Sequence, residues 1–75
     1  MTVIEYCLKE TQTCELVVIR DSGWVVQAVW IDHEDLFGMS EKYKNQEVKK
    51  QEWGTLPITT EHGDQIHVPC HYIDT

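Results

Sequence analysis

Five thiol and imidazole side chains, Cys7, Cys14, His67, Cys70 and His71, are the residues of this sequence best suited to holding a metal. Zinc takes tetrahedral sets of Cys and His, usually drawn from two closely spaced pairs. His67-x-x-Cys70 is one such pair, but Pro69 interrupts it, and strand alternation sends its two members to opposite faces. Cys7 and Cys14 stand too far apart for a zinc knuckle. As a redox pair they lack both the Cys-x-x-Cys spacing and a helix N-terminus to lower a thiol pKa. All three cysteines therefore read as small, semi-buried apolar residues. Neither a metal nor another cofactor is expected.

Asp32-His33-Glu34-Asp35 offers a second chemistry, an imidazole among carboxylates. Such a group is a common acid–base arrangement. Adjacent residues at a helix start point in different directions, however, and no nucleophile or anion-stabilising loop accompanies them. These carboxylates read as a solvated helix cap. The sequence contains no Gly-rich phosphate loop, no Gly-x-Ser-x-Gly and no His-Glu-x-x-His, and His62 reads as a turn residue. A chain of 75 residues has room for one small core and little for a walled cavity as well. No enzyme is expected.

Aromatic residues point to contact rather than catalysis. Trp24 and Trp30 fall among apolar neighbours and are expected in the core, whereas Trp53, between Glu52 and Gly54, is expected to be exposed. With Tyr43 and Tyr72 it is a candidate contact patch. Asp32, Glu34 and Asp35 are candidate acidic contacts for a basic partner. Against 13 acidic residues the chain sets only 6 basic ones, for a formal charge of −7. Phosphate backbones and anionic membranes repel such a surface, so direct binding to either is not expected. The start at Met1-Thr2-Val3-Ile4-Glu5 lacks the pattern of a signal peptide, and no apolar run approaches a membrane span. An odd number of cysteines argues against a disulfide framework, which makes the cytoplasm the expected location.

The elements that would position these residues are mostly β. Residues 5–9 and 15–20 read as two strands, Asp21-Ser22-Gly23 as a turn, and residues 24–31 as a third strand. Residues 1–31 thus form a three-stranded antiparallel unit. A two-residue Ser22-Gly23 loop sets Ile19 against Val26 and Val17 against Ala28, with Cys7 facing Cys14 across the first turn. Ile4, Tyr6, Leu8, Val17, Ile19, Trp24, Val26, Ala28 and Trp30 then share one face. The other face also carries apolar residues, so the middle strand is expected to be covered on both sides. A short helix is expected over 32–38, closed by Gly38, and a polar loop or frayed helix over 39–52. The segment 53–75 reads as a hairpin and tail. A three-residue Glu61-His62-Gly63 loop with Gly63 left-handed pairs Ile58 with Ile66 and Leu56 with Val68, all on the face of Cys70. Pro57 and Pro69 place this hairpin at a sheet edge or near bends.

The closing segment His67-Val68-Pro69-Cys70-His71-Tyr72-Ile73 resembles the Pro-x-x-Tyr-Val ending of SH3 domains, and Asp21-Ser22-Gly23-Trp24 resembles the turn before their paired tryptophans. That resemblance covers about a dozen residues and implies a small SH3-like barrel, without carrying over binding residues. The expected class is mainly β, a small α+β single domain, as such a barrel or a two-sheet sandwich with one short helix. Function is expected to be that of a non-catalytic protein-interaction or regulatory module working through an apolar sheet face or edge. A homodimer is the expected assembly. The alternative is an acidic inhibitor that imitates nucleic-acid charge on a basic partner, as small accessory proteins of phages or mobile elements do.

Overall fold

A computed structural model describes residues 1–32 and 41–75. Its element order is α1 (Val3–Glu10), β1 (Leu16–Asp21), β2 (Trp24–Trp30), α2 (Glu41–Lys44), β3 (Lys50–Thr59) and β4 (Gln65–Asp74). The strands form one mixed sheet in the order β2-β1-β4-β3. The class is mainly β, as expected, with one short helix and a second of a single turn among the described residues. Among the described residues the strands make a single four-stranded sheet rather than the expected barrel or two stacked sheets. Among the described residues no helix is long and apolar enough to cross a membrane.

Residues 5–9 are helical, not the expected strand. Thr2 and Glu5 decide this. The Thr2 hydroxyl accepts the Glu5 N–H at 3.3 Å, and the Glu5 carboxylate accepts the Thr2 N–H at 3.1 Å. That reciprocal capping box satisfies two N–H groups that a helix start leaves open. Val3, Tyr6 and Cys7, at helical spacing, are buried together against Val17, Ile19, Ile31 and Ile73. Fully burying an isoleucine such as Ile19, Ile31 or Ile73 contributes about 1.5–3 kcal/mol. Cys7 consequently sits in the core and Cys14 on the surface, and the two do not face each other.

β1 lies in the middle of the chain's sheet, antiparallel to β2 and parallel to β4. Its position explains the two-sided apolar pattern. Val17 and Ile19 face the α1 core, while Leu16 and Val18 join Cys70 in a second buried cluster on the opposite face. The β1–β2 turn forms at Ser22-Gly23, with positive φ at both residues (55° and 85°), the geometry whose twist suits a two-residue hairpin. Asp21 pairs with Trp24 and Arg20 with Val25, but the register then shifts, so that Ile19 meets Gln27 and Val17 meets Val29. Val26 is the extra residue of a β-bulge. This overturns the continuous register expected from the turn, and it moves Ala28 and Trp30 to the face of Leu16 and Val18.

The C-terminal hairpin has the expected register: Ile58 pairs with Ile66, Leu56 with Val68, and Gly63 has φ 85°. β4 meets β1 only from Cys70 onward, so the half of the hairpin beyond Cys70 overhangs the sheet. Pro69 and Pro57 lie in that overhang, where missing N–H donors are tolerated. In the polar stretch 39–52, residues 41–44 make one helical turn and β3 begins at Lys50. Beyond Asp32, the helix expected over 32–38 falls outside the described residues.

Candidate functional site

β2 is built from Trp24-Val25-Val26-Gln27-Ala28-Val29-Trp30, a run rich in β-branched and aromatic residues without a charge, glycine or proline. Its inner edge pairs with β1, and no described strand pairs with its outer edge. Trp24 is 78% exposed, Val25 53% and Trp30 56%. Val26 and Ala28 are exposed too, leaving only Gln27 and Val29 half-buried. Both expectations of a core tryptophan are thus corrected. Trp24 lies beside the turn, and the bulge at Val26 carries Trp30 away from the α1 core. At the end of the strand, Trp30, Ile31 and Asp32 line an open groove of about 650 Å³ with Thr13 and Cys14.

A polar cluster stands on the α1 side of the sheet. The Tyr6 hydroxyl lies 3.0 Å from His71 Nδ1, and His71 Nε2 lies 3.1 Å from the Glu15 carboxylate. Trp53 meets the same imidazole edge-on at 4.6 Å between ring centres. Glu15 also accepts the Gln12 N–H at 2.6 Å; that bond first, and His71 second, hold its carboxyl below the usual range. An ionised carboxylate only accepts, so Nε2 donates to Glu15; in a neutral imidazole Nδ1 then accepts from the tyrosine hydroxyl. Burial raises the Tyr6 pKa, which keeps that hydroxyl a donor. Both imidazole nitrogens are therefore engaged. What the cluster does is tie α1, the approach to β1, and β4 together.

Arg20 organises the far end of the opposite face. Its Nε donates to Asp74 at 2.6 Å and its Nη2 to Glu52 at 2.7 Å, while the guanidinium lies 4.6 Å from the Tyr72 ring centre. The Tyr72 ring in turn folds over Gly54, and its hydroxyl donates to the Thr55 carbonyl at 2.6 Å. A Cβ at position 54 would come within 2.9 Å of that ring, so a larger residue there requires the ring to shift.

The expected contact residues do not converge. Trp53 is exposed, as expected, but it lies on the α1 side against His71, whereas Tyr72 lies on the opposite face. Tyr43 belongs to α2 and packs against the α1 core with Lys42 over its ring. Asp32 is exposed beside the groove, and Glu34 and Asp35 fall outside the described residues. Cys7 and Cys70 are buried on opposite faces of the sheet, and burial pushes the Cys7 thiol up to about 11. Among the described residues no group of three or more His, Cys, Asp or Glu side chains is placed to hold a metal. Sequence reasoning weighed His71 only as a metal ligand and missed its place between Tyr6 and Glu15, because only parallel β1–β4 pairing and the packing of α1 bring the three together. It missed the β2 edge because a bulge has no residue signature here. Compared with known proteins, the chain matches no family model, no curated protein and no solved structure.

Proposed function

We propose that this chain is a small non-catalytic protein-interaction module that engages its partner through the outer edge of β2. One observation carries the reading: an uncharged seven-residue edge strand, exposed along most of its length, in a chain of net charge −7. An open strand edge offers a row of backbone donors and acceptors to an incoming strand. Its exposed tryptophans and valines supply the apolar contact that such pairing needs for affinity. Tyr6, His71 and Glu15 join α1, β4 and the approach to β1, which supports a structural role for the polar cluster. Three cysteines with no disulfide among them suit the reducing cytoplasm.

The test is partner capture from a lysate of the native cells, using wild type, a Val26→Lys variant and a Thr55→Lys control on β3. Retention by wild type and control at high salt, with loss in Val26→Lys, is the expected result. Equal retention by all three would overturn the β2 reading. A basic partner released by salt from all three alike would instead favour imitation of nucleic-acid charge.

A further inference from the structure

We infer that the strand received by the β2 edge is β2 of a second copy, joined antiparallel about a two-fold axis into a continuous eight-stranded sheet. This rests on the reading of β2 as the interaction edge and names its occupant. Trp24, Val25, Val26 and Trp30 alone present roughly 500 Å² of apolar surface on the scale of about 150–250 Å² per large aromatic. A standard interface uses about 800 Å² per partner, so a pairing along this strand falls toward the small end of stable interfaces.

Charge selects the occupant. Two chains of −7 repel each other wherever their carboxylates approach, and a basic protein would be drawn to those carboxylates rather than to β2. Along β2 there is no charge to repel a copy or attract a basic partner.

Self-complementarity points the same way. The strand reads almost identically from either end, with Trp24 and Trp30 outermost, Val25 and Val29 inside them, and Gln27 central. A two-fold interface requires the same surface to match itself. The bulge at Val26 constrains how it does so, because opposed residues must point to the same face. With Val26 set aside in each copy, either Ala28 or Gln27 can lie on the axis. On Ala28, Val25 faces the partner's Trp30, an aromatic–β-branched pair. On Gln27, Ala28 faces the partner's Val25. No charged residue enters the paired span in either register. Bulges ordinarily discourage edge pairing, but two copies carry this one at equivalent positions, so both strands deviate together.

Sedimentation equilibrium on the full chain across a range of concentrations and salt is the deciding measurement. Wild type is expected to be a dimer, about twice the 8.8 kDa chain. Its Kd should hold or fall as salt rises, because salt screens only the repulsion. Ala28→Lys and Val26→Lys each bring like charges together near the axis and should raise Kd roughly tenfold or more. In case a lysine variant misfolds, amide exchange on wild type provides a second readout. Outward β2 amides should become more protected as concentration rises, while β3 amides do not change. A wild type that stays monomeric at hundreds of micromolar overturns the dimer, as does a dimer unaffected by both lysines. A monomeric wild type whose captured partner is lost in Val26→Lys overturns only the self-pairing and leaves the interaction edge standing. If that partner is retained, both readings fail.

Discussion

The two edges of this sheet are made of opposite materials. β2 is short, uncharged and largely apolar, and most of its side chains stand in solvent. β3 is longer and carries Lys50, Glu52 and Pro57, and its glycine is roofed by the Tyr72 ring. Charges and prolines are what proteins place on an edge that should stay unpaired. β3 is thus built to end the sheet and to be held from within, by Arg20 to Glu52 and by Tyr72 to Thr55. Among the described strands, β2 pairs with β1 alone. Substitutions at β3 should therefore change the stability of one chain, and substitutions at β2 should change what the chain binds.

Gly54→Val is the strongest way to sharpen that contrast. A side chain there must displace the Tyr72 ring, and overpacking of this kind costs about 1–3 kcal/mol. Urea unfolding should show a lowered midpoint; an unchanged midpoint would mean that the ring is free to move. Next in size is Arg20→Ala, which removes hydrogen bonds to two carboxylates from a half-buried side chain. A loss of about 1–2 kcal/mol is expected by the same measurement.

How far these features were legible in the sequence depends on how local they are. The register of the β3–β4 hairpin could be read, because alternating apolar positions and Gly63 fix it, but its strands run further than expected, β3 from Lys50 and β4 to Asp74. The first helix was marked too, by Thr2 and Glu5 at capping-box spacing and by Val3, Tyr6 and Cys7 at helical spacing. A competing alternation of Ile4, Tyr6 and Leu8 suggested a strand instead; Leu8, its last member, is exposed. The β1–β2 turn was visible and the bulge was not, since nothing about Val26 distinguishes it from Val25. Least legible was the Tyr6–His71–Glu15 cluster, whose members lie up to 65 residues apart.

A smaller effect is expected for acid. The Glu15 pKa is lower in the fold than in the unfolded chain, so the unfolded chain binds the proton more readily. Its contribution to stability is present above the ordinary carboxylate range and is lost as pH falls through the folded value. Glu15→Gln should flatten the acid limb of a plot of thermal midpoint against pH. If the limb keeps its slope, Glu15 contributes nothing to it. Smallest of all is Trp24→Ser. With its side chain in solvent, the monomer should lose no more than about 0.5 kcal/mol. A larger loss, measured at concentrations where the chain is monomeric, would mean that β2 is held like β3 and would erase the contrast between the edges.

The parallel pairing of β1 with β4 also sets a schedule. The central strand forms near residue 20, yet its second neighbour is the strand that ends at Asp74, so Arg20 meets Asp74 across 54 residues. The β1–β2 hairpin can close within microseconds, but the sheet cannot be completed until the intervening chain has been looped back. Until then β1 shows one bare edge and β2 the other. A growing chain therefore passes through a stage in which its most apolar strands are open on both sides. The danger of mispairing falls in that interval and ends when β4 slots in beside β1.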